Sequence, residues 1–475
     1  MATQRPFKVR LHVISPIHIG CDDVYEPTGF VVDRSAKKLI SFEPIDFVGS
    51  LDPGNRAKFL ALCDKGTLES ILEIYKFMAQ HGSKVEGYQV DLTDGFLSSY
   101  DRVLRLQPRD IKQELNKFLI ARTSYLPRDQ SPYIPGSALK GALRTGWLNH
   151  LNQGTPRPAA QARRLEEELL GGTFAADPFR MVKVSDLLPV ERPETRICFA
   201  VNKKKKPSKF EAGGPQQILE TIRAEKNPVF EGMITLHAPE RGAPGLAAKV
   251  IPADATFFAQ ATNFFAQEMI QEEEIFKQID VPGLVKVTMQ KLFGERYMTS
   301  VFPIRIGRHA GAEAVTIAGA RNIKIMGKRG EKPKDGPAST TLWLAGETAK
   351  AENNLHPFGW AALEILDVDP AALWPERSVV NQRSEIQPAT ISPPPAPTIV
   401  TEVIVWEGAF LTWSAGDTTL TAKAANGVKA MMKLTGDRSM VPAALHKKLF
   451  EKKDAVKSRV TVKKEGNCLQ IVSIE

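Results

Sequence analysis

Proline fixes φ and donates no backbone hydrogen bond, so a stretch carrying Pro388, Pro393, Pro394, Pro395 and Pro397 cannot lie inside a helix or a central strand. Residues 387–399 therefore read as an extended, semi-rigid linker, and whatever follows is expected to fold as a separate module. A chain of 475 residues also exceeds one ordinary hydrophobic core. The expected partition is 1–240, 241–386, the linker 387–399, and a small module 400–475.

Within these pieces the periodicity is mixed. Phe7, Val9, Leu11 and Val13 alternate with Lys8, Arg10 and His12, the pattern of a strand with one buried and one basic face. A hairpin is expected from Phe30–Asp33 and residues 39–42, and helical spacing covers Leu68 to Met78 and 111–119. Residues 179–184, 196–201, 230–237, 302–306 and 340–344 read as strands, and 257–279 as one long helix. In the last module, strand patterns surround Val403, Leu411, Leu420 and Val460, with a helix near 443–450 and a strand at 469–474. The fold class is α+β.

The net charge of +9 and pI near 9.2 favour an anionic partner. Cys21, Cys63, Cys198 and Cys468 are far apart, without Cys-x-x-Cys pairs or histidines at ligand spacing, so neither a metal site nor a disulfide framework is indicated. The first residues lack the apolar core of a signal peptide, and no apolar run is long enough to span a membrane. A cytoplasmic, reducing setting without membrane contact is the expectation.

The most specific chemistry lies in Tyr-Ile-Pro-Gly-Ser-Ala-Leu-Lys-Gly-Ala-Leu-Arg, residues 133–144. Pro135 and Gly136 end an extended segment, Ser137 stands where an N-cap is expected, and Leu139, Leu143, Trp147 and Leu151 follow at helical spacing. The free N–H groups of that helix start, with Lys140 and Arg144 four residues apart, form a candidate phosphate seat. Gly141 and Gly146 would each cost about 1 kcal/mol relative to alanine inside a helix, so another backbone is expected to press close. A solvated amphipathic helix would carry the same residues. A second glycine segment, Gly307-Arg308-His309-Ala310-Gly311, follows a strand and lacks the Walker lysine and the dinucleotide fingerprint. The basic loop of Lys328, Arg329, Lys332 and Lys334 comes next. The run Lys203–Lys206 reads as a solvated loop or as an electrostatic arm.

These segments together resemble the repeat-associated mysterious proteins, or RAMPs, of CRISPR systems. Residues 133–144 are similar to the superfamily's Ile-Pro-Gly-Ser-Ser-Leu-Lys-Gly-Ala-Leu-Arg motif, with Ala138 for the second serine. Ser15-Pro16-Ile17-His18-Ile19-Gly20 is similar to its first-strand ending. Residues 25–33, 177–180 with 184–186, 305–307, 337–344 and 357–360 resemble the fifth subunit of the type III-A, or Csm, effector complex. The resemblance implies two ferredoxin-like, RNA-recognition-type domains with insertions. It also implies a non-catalytic subunit that caps the backbone at the 3′ end of the CRISPR RNA (crRNA) and supports its maturation. Expected partners are crRNA, target RNA, the backbone and small Csm subunits, and host exonucleases.

An RNA-cleaving alternative would need an acid, a base or metal ligands. Asp22, Asp23 and Asp33 are the candidate aspartates, all in turn contexts that ordinarily serve backbone hydrogen bonds. His18 and His309 are candidate acid–base groups, each without an evident partner except His12 for His18. No catalytic residue, metal or cofactor is expected. RNA contact is expected of His18, Gly20, Gly136, Ser137, Lys140, Gly141, Arg144, Gly307, Arg308, Gly311, Lys328 and Arg329. Residues 400–475 are an alternative protein-docking module.

Overall fold

The computed structural model describes residues 4–366 and 403–474, apart from 83–84, 158–161, 174–175, 210, 238–250, 253, 327–331, 415–417, 425–427, 435–439, 453 and 466–467. The linker and the loop pair Lys328 and Arg329 fall outside the described residues. The chain divides into two compact units, Met1–Glu385 and Ile386–Glu475.

Unit one is built on two sheets. The first contains β1 (Gln4–Val13), β2 (Val182–Val184), β3 (Val229–His237), β4 (Val301–Arg305) and β5 (Trp360–Ile365) in the order β4-β5-β1-β3-β2, all antiparallel. Leu188–Pro189 adds a short edge piece to β3. Helix α1 (Gly136–Asn152) connects β1 to β2 through a long insertion, and α2 (Thr256–Gln278) lies between β3 and β4. Period two puts Phe7, Val9, Leu11 and Val13 in the core with Leu139, Leu143 and Trp147 of α1 and Phe257, Phe258 and Phe265 of α2. Phe7 meets Phe258 edge-on at 5.0 Å and Trp147 lies 5.6 Å from Phe257.

The second sheet has nine strands. Gly20–Val24, Ile120–Thr123, Gln217–Ile222, Thr195–Lys204, Tyr88–Asp91, Lys38–Ser41 and Phe30–Asp33 follow in that spatial order, and Thr341–Gly346, paired with His356–Pro357, joins Thr195–Lys204. The expected boundary near residue 240 does not separate the sheets. β4 and β5 join the first, whereas Thr341–Gly346 joins the second, because strand pairing links residues hundreds of positions apart.

Unit two is a closed barrel of Val403–Ser414, Thr419–Lys423, Lys429–Lys433, Val456–Glu465 and Cys468–Ile474, with a short helical stretch from Ala443 to Glu451. Its core holds Leu411, Leu420, Ala422, Ala430, Val460 and Val462. Among the described residues no helix is long and apolar enough to cross a membrane.

Three local expectations change. Residues 178–181 form a 3-10 turn, capped by the Asp177 carboxylate on the Phe179 N–H, so only Val182–Val184 is strand. The outward face of β1 is matched by acids: Lys8 and Arg10 pair with Glu231 at 3.2 and 2.7 Å, and His12, held below the ordinary histidine range by burial, lies 2.8 Å from Glu364. The Lys203–Lys206 run is tied down rather than free, since Lys203 and Lys204 end a strand and Lys205 pairs with Glu313 at 2.6 Å.

Candidate nucleic-acid interface

Helix α1 presents its N-terminal turns beside β2 and the 178–181 turn. Pro135 is the N-cap and Gly136 the first helical residue, so Ser137 sits one position inside and makes no side-chain cap. The Gly136 N–H instead donates to Asp186 Oδ1 at 2.8 Å. A carboxylate thus already occupies the positive end of this helix, and the expected phosphate seat at its tip is filled by the protein itself.

The helix glycines divide by neighbour. A Cβ on Gly136 would lie 2.5 Å from the carbonyl oxygens of Val184 and Ser185, and one on Gly146 only 1.7 Å from that of Ala261 in α2. Both positions are therefore demanded by protein packing. A Cβ on Gly141 would have nothing within 4 Å among the described residues. Its backbone faces open space, and that is the surface a ligand can approach.

Arg144 is also committed internally. Its guanidinium donates to Asp177 at 2.7 Å and Glu166 at 2.9 Å and lies 5.3 Å from the Phe179 ring centroid. It fixes the 177–181 turn against α1, which corrects its expected role as a free phosphate contact. Lys140 differs, having no carboxylate within ion-pair distance among the described residues. Burial, followed by repulsion from Lys183 and Arg144, holds its amine below the ordinary lysine range, with Asp177 opposing. Lys140, Arg144, Phe179, Arg180, Lys183 and His237 contribute to the lining of a cleft of about 720 Å³. Lys183 lies on β2 without a local sequence pattern to mark it, and only the fold brings it to Lys140.

The second expected seat proves to be a structural knot. The Arg308 N–H donates to the His18 carbonyl at 2.8 Å, Gly359 to Pro16 at 2.9 Å, and Ile306 to Gly359 at 2.9 Å. Gly307 has φ +84°, and a Cβ there would lie 2.5 Å from the His18 carbonyl oxygen. Its glycine character serves this contact, because protein backbone fills the space expected for a ligand. His18 is 0% exposed, its Nδ1 is 2.7 Å from the Glu220 carbonyl, and its buried Nε2 has no partner among the described residues. Burial pulls its pKa down to about 4, so it is a neutral interior group, a correction to its expected RNA contact. His309 stacks near Trp343 and Phe358 at 5.1 and 5.4 Å and is likewise held at about 4 by burial. Gly20, Ser137 and Arg308 are exposed, Arg308 reaching Gln217 at 2.9 Å. Gly311, at φ +89°, is partly buried.

The candidate aspartates lie apart from any ligand-like cluster. Asp22, at φ +61°, and Asp23 occupy an irregular edge strand, and Asp23 accepts from the Tyr125 hydroxyl at 2.7 Å. Asp33 accepts from the Ala36 N–H and then the Ser35 hydroxyl, which hold its carboxyl below the usual range and close the hairpin turn. Among the described residues no three His, Cys, Asp or Glu side chains are grouped to hold a metal.

The family model described as the RAMP superfamily matches residues 10–232. A protein named CRISPR system Cms protein Csm5 from Methanocaldococcus jannaschii is 23% identical over 201 residues, covering 39% of this chain and 43% of that protein. Its namesake from Enterococcus italicus is 24% identical over 220 residues, covering 43% and 54%. The matched stretch thus spans about half the length of these curated relatives. A chain in the cryo-EM structure of a type III-A Csm–crRNA–target RNA ternary complex aligns at a TM-score of 0.50 and 18% identity, covering 76% of this chain and all of that one. This chain is thus similar to the RAMP superfamily over residues 10–232, a little under half of its length, and to proteins named Csm5 over a comparable share.

Proposed function

We propose that this protein is a non-catalytic RNA-binding subunit of a type III-A effector complex, capping the backbone at the crRNA 3′ end and supporting crRNA maturation. Its partners in this reading are crRNA, target RNA, the backbone and small Csm subunits, and host exonucleases, in the cytoplasm. The observation that carries the reading is the Lys140–Lys183 pair. Two cations that repel each other face one cleft, neither in an ion pair among the described residues, and the carboxylate on its lining, Asp177, is already engaged by Arg144. A phosphate between them relieves that repulsion, and contact of this kind positions a strand without reading its sequence.

Arg144 serves as a positioning residue in this account, and Gly20, Ser137, Arg308 and Gly311 remain proposed contacts. Lys328 and Arg329 are proposed on charge alone. The non-catalytic reading is supported by Asp23, engaged by Tyr125, and by the buried, neutral state of His18. The two ferredoxin-like domains are proposed as well. The β5-β1-β3-β2 order with α1 and α2 in its two crossovers supports the first, and the nine-stranded sheet would carry the second.

Exchanging Lys140 and Lys183 together for glutamate tests the cleft. Guide-RNA affinity is expected to fall, and the slope of log affinity against log salt to flatten by about 1.4, near 0.7 for each phosphate of a single strand no longer neutralised. Unchanged affinity and slope would contradict the assignment.

A further inference from the structure

We propose that the C-terminal barrel carries a separate site for single-stranded nucleic acid, on the outer face of its first three strands around Phe410. The barrel order is first-second-third-fifth-fourth, closed back onto the first, with the third and fifth strands parallel and the helical stretch between the third and fourth. This is the connectivity of the OB fold, whose second and third strands offer the face on which oligonucleotides commonly lie. Connectivity alone assigns no ligand, and the side chains on that face decide what it can bind.

Inward residues alternate with outward ones along each strand. Leu411, Leu420, Ala422 and Ala430 are buried, which turns Phe410, Thr412, Thr421, Lys423, Lys429 and Met431 outward. The register then aligns them in rows. Phe410 is directly opposite Lys457 on one side and Lys423 on the other, and Lys423 is opposite Lys429. One row therefore reads Lys457, Phe410, Lys423, Lys429 across four strands, about 14 Å at the usual strand spacing. The next row is Thr412, Thr421, Met431.

Phe410 is 50% exposed and Met431 55%. An isolated exposed phenylalanine is ordinary on a protein surface. One bracketed by three lysines in register is not a dry protein-docking patch, because those ammonium groups would have to be desolvated. Its chemistry suits a base stacked on an aromatic ring with phosphates on either side. Lys423, Lys429 and Lys457 have no carboxylate within ion-pair distance among the described residues, whereas Arg459 of the same barrel is paired with Glu407 at 2.8 Å. At the bulge before Phe410, Gly408 takes φ +71°, and a Cβ there would meet Lys457 Cε at 2.6 Å. The lysine stem thus lies along the bulge next to the ring. None of these residues belongs to the α1 cleft, and the barrel site stands without it.

The test is photocrosslinking of the full chain, in the Lys140→Glu, Lys183→Glu background, to 4-thiouridine and 4-thiothymidine 12-mers, followed by peptide mapping. Crosslinks are expected in the peptides containing Phe410 and Lys423 to Met431. F410A should reduce their yield at least fivefold, K423E/K429E should abolish them, and F410W should retain them. Comparison of the two oligomers distinguishes RNA from DNA as the source of the strand, crosslinking of either supporting the site. Absence of crosslinks from residues 403–433, equal capture of a duplex, or yields unchanged in F410A and K423E/K429E would overturn it.

Discussion

Two glycines five residues apart in α1 should respond to the same substitution with opposite signs. Alanine gains about 1 kcal/mol over glycine inside a helix. At Gly141 nothing opposes that gain, since the added methyl meets no described atom within 4 Å, so G141A should stabilise unit one by about 1 kcal/mol. At Gly146 the methyl would sit 1.7 Å from the Ala261 carbonyl oxygen and 2.8 Å from its carbon. Backbone, not a movable side-chain tip, is in the way, and α2 would have to retreat by more than an ångström from a core holding Phe257, Phe258 and Phe265. Overpacking of that kind costs about 1–3 kcal/mol, and an obstacle made of backbone belongs at the upper end. After the helix-propensity gain, G146A should lose about 2 kcal/mol, a separation of about 3 kcal/mol between the two variants. Thermal unfolding followed by tryptophan fluorescence is a suitable assay, because Trp147 packs at this helix contact. Shifts of the same sign, or a neutral G146A, would refute the packing argument.

R144A should destabilise unit one by roughly 1–2 kcal/mol, since it strands Asp177 and Glu166 in a partly exposed site. R144K should recover little of it, because lysine has one compact ammonium in place of the two separate guanidinium nitrogens that reach Asp177 and Glu166, and K140A should leave the unfolding midpoint within about 0.5 kcal/mol. His18 makes stability depend on pH. Its folded pKa of about 4 lies below the unfolded value of about 6.5, so the unfolded chain binds the extra proton between those values. Stability is then fully present above pH 6.5 and is lost as pH falls toward 4, by up to roughly 3 kcal/mol for this residue. Urea midpoints at pH 7 and pH 5 should converge in H18Q relative to the wild type, and an unaltered pH dependence would contradict the burial argument.

Features written in local periodicity were legible from the sequence. The β1 alternation, the Phe30–Asp33 hairpin, the long α2 and the body of α1 all follow from residues within a few positions of each other. What the sequence hid depends on partners brought from afar. Asp186, fifty residues on, caps Gly136; Asp177 and Glu166 claim Arg144; Glu231 and Glu364 match the outward face of β1. His18 reads as an RNA contact in sequence because the strand that buries it comes from residues 217–222 and the knot from 305–308. Lys183 is a lone lysine in a three-residue strand, and only the β2–α1 contact makes it a neighbour of Lys140. The row around Phe410 likewise exists only once four strands have taken their register.

Whether the α1 cleft holds the 3′ portion of the guide can be decided by placing a photoreactive nucleotide at either end of the crRNA in the assembled complex. Crosslinks from the 3′ end to peptides containing Lys140–Gly141 or Lys183 are expected, and they should vanish when both lysines become glutamate. Crosslinks to these peptides from the 5′ end alone, or none from either end, would contradict the assignment.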